Sequence, residues 1–313
     1  MITPLRIAAF VVTLGVLFLA ARGVGSAVGP LDVDEEPMAH AEGGGDEMAS
    51  GGHDDHAAEA ADHRPGGLAV SDQGYTLQLV SRPRAGVDQP LRFVVLGPDA
   101  EPVTAYDEVH EKQLHLIKVR RDGAGFEHVH PRLAPDGTWT ARMTLAPGSN
   151  RLLADFTPTD GPELVLGTDV EVPGDYRPTA AAPLTRTARV DDYRVRLTGS
   201  LTAGKSSPVT ATVTRDGRPV TDLQPYLGAY GHLVALREGD LAYLHVHPEQ
   251  SDAGPEIPFV AEVPSDGRYR LFLDFRHRGT VRTAAFTLRA GEAGPAVRGT
   301  TGAHPGEGEG HDH

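Results

Sequence analysis

The chain has 313 residues, 39% of them hydrophobic, which is enough for two domains of ordinary size, each with its own core. Its 43 acidic side chains against 29 basic ones give a formal charge of -14, which repels polyanions, so nucleic acid is excluded as a partner. Cysteine is absent, which excludes disulfides, thiolate metal sites, cysteine nucleophiles and a lipid-modified cysteine, and leaves histidine, carboxylate and methionine for metal chemistry.

Residues 1–29 read as a membrane-targeting segment. Arg6 precedes an apolar run from Ile7 to Ala21, followed by Arg22 and a small-residue stretch from Gly23 to Gly29. A run of about 15 apolar residues is shorter than the roughly 20 that span a bilayer, which favours a cleaved export signal. A span continuing to Val28 with Arg22 snorkelling to the interface, and the lack of a clean A-x-A site, favour an uncleaved anchor. Either way the chain is expected to be exported, held at the outer face of the cell membrane or secreted. Residues 30–67 are acidic, rich in alanine and glycine and nearly free of large apolar residues, the composition of a disordered tether. This arm carries Met38, His40, Met48, His53, His56 and His63, and the similar tail at 291–313 carries His304, His311 and His313. Such arms either collect divalent cations weakly or act only as soluble linkers.

Between the arms run many short segments of alternating apolar residues, punctuated by Gly, Pro and Asp and lacking helical periodicity. They include YTLQLVS at 75, LRFVVLG at 91, LHLIKVRR at 114, TWTARMTLA at 138 and RLLADF at 151. This is the pattern of an all-β sandwich. The series returns as YRVRLTG at 193, SPVTATVTR at 207, GHLVALRE at 231, YRLFLDF at 269 and VRTAAFTLRA at 281. One constant offset superimposes Pro102-Val103-Thr104 on Pro219-Val220-Thr221, His115-Leu116 on His232-Leu233, and HVHP at 128 on HVHP at 245. The fold class is therefore two tandem immunoglobulin-like β-sandwich domains, at 68–173 and 185–290, joined by the Pro/Ala-rich linker VPGDYRPTAAAPL.

Both copies share a hairpin that carries histidine. In the first, LHLIKVR joins FEHVHP through Arg121-Asp122-Gly123-Ala124, and Asp-Gly is the preferred centre of a two-residue type I′ turn. With Arg121 facing Ala124, His115 falls opposite His130. In the second, Glu238-Gly239-Asp240-Leu241 suits a type II′ turn, and Glu238 facing Leu241 puts His232 opposite His247. Residues two apart on a strand share a face, so His128 joins His130 and His245 joins His247, and three imidazoles are expected to converge in each domain. The histidine face also carries Ile117, Val119 and Phe126, and in the second copy Val234, Leu236 and Tyr243, so each cluster is expected at the open end of an apolar face. Low polarity there favours neutral, metal-ready imidazole.

His110, with Asp107 and Glu108, lies just upstream as a candidate fourth ligand in the first copy; the second offers only Tyr226 or Tyr230. Three histidines without thiolate suit Cu(II), Zn(II) or Ni(II), and Cu(II) binds most tightly in a comparable site, so copper is expected first and zinc second. The candidate metal ligands are thus His110, His115, His128, His130, His232, His245 and His247. A strand histidine is by itself an ordinary polar residue, and a repeated cluster also fits a hydrogen-bonded network that fixes the hairpin or a pH-sensitive interface.

The strings HEKQLHLIKVRRDGAGFEHVHP and PYLGAYGHLVALREGDLAYLHVHP resemble those of exported bacterial proteins grouped with YtkA-like and CopC-like β-sandwich domains. The resemblance implies an immunoglobulin-like sandwich in the envelope that handles metal, copper foremost. It implies no established activity, and the methionine motifs of periplasmic Cu(I) carriers are missing from the folded region. GSLTAGKS at Gly199 to Ser206 matches a P-loop formally, but a strand and not a helix follows it, so no nucleotide is expected. There is no nucleophile elbow and no H-E-x-x-H helix. The reading is a non-enzymatic metal-binding module that sequesters copper or zinc or passes it to an envelope transporter or acceptor protein. A metal-free scaffold is the alternative, and a three-histidine metalloenzyme would need an acid/base residue that the sequence does not identify.

Overall fold

In a computed structural model of the chain, residues 65–244 and 246–291 are described; the apolar N-terminal segment, nearly all of the tether, His245 and the tail from residue 292 lie outside them. The described residues contain strands and no helix. The first repeat runs β1 (Ser71–Asp72), β2 (Tyr75–Leu79), β3 (Gly86–Leu96), β4 (Leu114–Arg120), β5 (Glu127–Val129), β6 (Arg132–Leu133), β7 (Trp139–Leu145), β8 (Gly148–Phe156) and β9 (Leu164–Val172). The second runs β10 (Thr187–Val190), β11 (Tyr193–Gly199), β12 (Lys205–Arg215), β13 (Arg218–Pro219), β14 (Gly231–Arg237), β15 (Tyr243–Leu244), β16 (Val246–Pro248), β17 (Glu256–Val263), β18 (Arg268–His277) and β19 (Thr280–Arg289).

Each repeat is a sandwich of two antiparallel sheets, and the sheet orders correspond. The outer sheets are β1-β2-β3-β7-β6 and β10-β11-β12-β17-β16, the latter with β13 added beside β12; the inner ones are β5-β4-β8-β9 and β15-β14-β18-β19. The alternation seen in the sequence is realised where one face meets water: in β7, Trp139, Ala141, Met143 and Leu145 are buried and the residues between them exposed. Phe93, Leu116, Trp139 and Phe156 belong to the first core, and Tyr193, Phe259, Tyr269, Phe275 and Phe286 to the second. The GSLTAGKS segment forms the connection between β11 and β12.

The inner strands break the alternation. Leu114 to Val119 of β4 and Gly231 to Leu236 of β14 are all buried, so both faces of each strand are covered. One face fills the strand's own sandwich. The other belongs to a third apolar cluster, which joins Ile117, Val119 and Leu153 of the first repeat to Val234, Leu236, Leu241, Tyr243 and Phe272 of the second, with Phe126 and Val165 at its margin. The inner sheets thus pack on one another across the repeat boundary. Phe126 lies on Phe272 with ring centroids 3.9 Å apart and planes 6° from parallel.

Polar contacts fasten the same seam. Arg121 donates from Nη1 to the Asp240 carbonyl at 3.0 Å. The segment at 66–69 runs between the two inner sheets: Gly67 N donates to Val165 O at 2.7 Å, Gly167 N to Ala69 O at 2.8 Å, and Tyr243 N to Gly66 O at 2.9 Å. Gly167 is required for that approach, because a Cβ there would stand 2.0 Å from the Gly67 carbonyl oxygen. The linker between the repeats is also held: Arg120 Nη2 donates to Thr179 Oγ1 at 2.9 Å, and Thr179 N donates to Asp122 at 2.7 Å.

Truncating Phe272, which is 3% exposed, removes a buried ring from this seam. Phe272→Ala is expected to destabilise the protein by about 3 kcal/mol. Denaturant unfolding followed through Trp139, the single tryptophan, which lies in the first repeat's core, checks it. An unchanged Trp139 midpoint would mean that the first repeat draws no stability from the seam.

Candidate functional site

The inner hairpins have the register expected from sequence but different turns. Leu116 pairs with Val129 and Ile117 with His128 in the first repeat; Ala235 pairs with Leu244 and Leu236 with Tyr243 in the second. The first turn is closed by Gly123 N donating to Arg120 O at 2.8 Å and Arg120 N to Ala124 O at 2.9 Å, and only Gly123, at φ +78°, is left-handed in it. A type I′ turn needs Asp122 left-handed as well. Gly125, at φ +63°, absorbs the residue that restores the register. In the second repeat a four-residue loop closes between Arg237 and Ala242, with Asp240 accepting from Arg237 and from Ala242 N.

Beyond the hairpins the copies diverge. In the first, His128 and His130 stay beside His115. In the second, the chain leaves the inner sheet after Leu244 and pairs β16 with β17, so that His247 lies opposite Val260 of the outer sheet and is exposed. The expected pairing of His232 with His247 is therefore corrected: Val246 packs on the second core, and its neighbour His247 points away from it. His245 lies outside the described residues. Instead of a second three-histidine cluster built on His232 and His247, the structure brings His232 across the seam to the first.

His115, His128 and His130 offer nitrogens that all lie within 4.8 Å of one another, a group able to hold a metal ion. His232 stacks on His115 with centroids 5.2 Å apart and planes 4° from parallel, and lies 4.9 Å from the His128 ring. His110 is farther out, 6.1 Å from His115 and 5.5 Å from His232.

Proton bookkeeping constrains the cluster. His115 Nε2 is 3.0 Å from the Val109 carbonyl, which only accepts, so Nε2 carries the proton and Nδ1 a lone pair. His128 Nδ1 is 2.9 Å from Oδ2 of Asp274, so a neutral His128 donates from Nδ1 and has its lone pair on Nε2. His115 Nδ1 and His128 Nε2 then face each other at 3.1 Å, and a cation has to lie between them, a shared proton or a metal ion. Two nitrogens bound to one tetrahedral ion at roughly 2.0 Å stand about 3.3 Å apart, close to the spacing found. The carboxylate behind His128 completes the carboxylate–histidine arrangement that sets tautomer and ring orientation at metal sites.

His130 Nε2 and His232 Nε2 are buried and have no hydrogen-bond partner. His277 supplies the contrast, since it is buried too but has Nδ1 2.7 Å from the Tyr193 hydroxyl and Nε2 3.0 Å from Asp222. Burial, reinforced by neighbouring imidazoles, pushes His130 down to about 3 and His232 well below the ordinary histidine value. Burial likewise takes His115 down to about 4, against the opposing pull of the Val109 carbonyl. These rings are neutral at pH 7, the form that ligates metal. Burial also raises the Tyr226 phenol to about 12, with the Asp274 charge adding to it.

Sequence reasoning did not single out Asp274. It lies opposite His232 in the β14–β18 ladder, as Asp155 lies opposite His115 in the β4–β8 ladder. The signal was present in RLLADF and RLFLDF, where both copies put one acid inside an apolar strand. Asp155 likewise reaches across the seam, accepting from the Tyr243 hydroxyl at 3.0 Å.

Fold and site together define a two-repeat all-β protein with a histidine cluster on the seam between its repeats. The family described as a domain of unknown function, DUF8832, matches residues 69–178 and again 188–292, and the chain belongs to that family through both repeats. No curated protein matches it. Among solved structures, a DUF4426 family protein of Pseudomonas aeruginosa is 9% identical with a TM-score of 0.25, over 34% of this chain and 96% of that one. The FdeC adhesin of Escherichia coli is 17% identical with a TM-score of 0.22, over 74% of this chain and 66% of its own. The Ig1-2 module of the Drosophila receptor protein tyrosine phosphatase DLAR is 10% identical with a TM-score of 0.19, over 68% and 98%. Similarities of this size leave the site to be understood from the chain itself.

The depressed histidines tie stability to pH. Unfolded histidine titrates near 6.5, so between about 6.5 and about 4 the unfolded chain binds protons that folded His115 and His130 refuse. In metal-free buffer, stability is expected to fall as pH drops through that window. Denaturation midpoints between pH 8 and pH 4.5 measure it, and His130→Gln should flatten the slope.

Proposed function

We propose that this is an extracytoplasmic metal-binding protein that sequesters or hands on a divalent cation through His115, His128 and His130. The observation that carries the reading is the 3.1 Å approach of two imidazole nitrogens whose rings each turn the other nitrogen to an acceptor oxygen, with the partnerless His130 Nε2 beside them. Three imidazole donors without thiolate favour copper first and zinc second on the ordinary affinity order. When bound, the ion would supply the positive charge on which those nitrogens converge, while Asp274 and the Val109 carbonyl hold the ligand rings in their tautomers. The apolar segment at Ile7 to Ala21 supports export, at the outer face of the membrane or beyond it, and a cargo role implies an envelope transporter or acceptor protein as partner. The resemblance to YtkA-like and CopC-like domains agrees with such a role.

The reading is of a binder and not an enzyme: the acids paired across from His115 and His232 are already engaged, Asp155 with Tyr243 and Asp274 with His128 and Thr283. One observation favours a second reading. The His128–Asp274 pair joins the repeats without any ion, as a metal-free scaffold would need.

Metal analysis of the chain purified without a His tag separates the two. Residues 65–291 alone, without the histidine-bearing arms, are expected to retain the ion. His115→Gln, His128→Gln and His130→Gln should each weaken binding at least tenfold. Affinity should also decline as pH falls through the histidine range. Binding lost with the arms, or indifferent to all three variants, would move it to the tails and leave the scaffold reading.

A further inference from the structure

The cluster is not the property of one repeat. The His128 ring is held by a carboxylate of the second repeat, and the face of His115 is covered by a parallel imidazole of the second repeat, His232. His232 is 7% exposed, and its Nε2 is buried with no partner, the same condition as His130 Nε2. A buried polar atom without a partner is costly, and two of them on opposite sides of one seam, around two ring nitrogens 3.1 Å apart, share one remedy.

We infer that His232 supplies the fourth nitrogen to the ion held by His115, His128 and His130, so that each chain clamps one divalent cation between its two repeats. The inference rests on the metal-binding reading above and narrows it in three ways. The stoichiometry becomes one ion per chain and not one per repeat, because His247 has left the inner sheet. The coordination becomes four imidazoles with no position kept open for substrate, which is the arrangement of a holding site. Occupancy becomes coupled to docking of the repeats, because an ion bound to ligands from both stabilises the docked form over any separated one. His232 stands outside the set whose nitrogens lie mutually within 4.8 Å, so its ring closes onto the ion by a small side-chain movement and the backbone ladder to β18 stays in place. Asp274 remains outside the coordination sphere as the positioning residue for His128.

The test uses the full chain, loaded with Cu(II) and separately with Zn(II), with X-ray absorption to count imidazole ligands and competition titration for affinity. The wild type is expected to bind one ion per chain with four imidazoles. His232→Gln should retain one ion with three imidazoles and at least tenfold weaker affinity. Asp274→Asn should keep four imidazoles while losing affinity about 10- to 100-fold, as a positioning residue does. His247→Gln, on the exposed strand, should change neither quantity. Circular dichroism and the metal-free Trp139 unfolding curve confirm that each variant is folded. Four imidazoles and unchanged affinity in His232→Gln would overturn the inference while leaving metal binding intact, as would a nitrogen lost in His110→Gln instead. A second ion in the wild type that persists when both histidine-bearing arms are removed would overturn the shared site. A folded wild type that binds no ion would overturn the metal reading itself.

Discussion

The contact on which this structure depends is the apolar face of one inner sheet laid against the apolar face of the other. Either sandwich alone would expose Ile117, Val119 and Leu153, or Val234, Leu236 and Phe272, as a hydrophobic patch on an otherwise finished domain. Docking removes both patches from water and accounts for the buried runs in β4 and β14, which resemble the interior strands of a larger protein. It also determines the environment of the histidines. His115 and His232 share their strand faces with those apolar residues, and the seam desolvates them along with the rest.

The two repeats meet with their ladders in equivalent roles and their chemistry in different ones. Asp155 and Asp274 occupy the same position opposite the strand histidine, and each reaches a side chain of the other repeat. Asp274 finds His128, whereas Asp155 finds the Tyr243 hydroxyl. Tyr243 is the counterpart of Phe126 and offers a phenol at the point where the first copy offers only a ring. The earlier crossing of β16 to the outer sheet then carries His247 out of reach. Among the described residues the duplicated motif has in this way produced a single cluster, with the second copy placing one imidazole and one carboxylate beside the histidines of the first.

What was legible in the sequence was local. Alternation along β7 and the recurrence of HVHP were enough for the tandem sandwiches, and the hairpin registers were correct although both turns were misassigned, because Gly125 and the four-residue loop at 238–241 take up the differences. What was not legible depends on long-range packing. Period-2 reasoning places Ile117 and Val234 on the histidine faces, but nothing in it reveals that those faces cover each other. Nor does it reveal a strand that changes sheets after two residues, since Leu244 and Val246 are apolar enough to pack in either course. The paired aspartates were visible as acids repeated inside apolar strands, and their meaning required the partner across the seam.

This same chain treats another buried histidine quite differently. His277, as buried as His115, is given a hydroxyl on one nitrogen and a carboxylate on the other. A few residues away in the same strand, Asp274 is spent on His128, which leaves His232 Nε2 bare on the facing strand. A cluster kept for rigidity alone would be more stable with its nitrogens paired or replaced by packed apolar side chains, because a partly satisfied polar network is worse than none. The seam already has the apolar area to join the repeats without it. Neutral imidazoles held close together, short of hydrogen-bond partners and shielded from water are therefore a standing cost to the empty protein, and the ligand that offsets it is one that accepts lone pairs and carries positive charge.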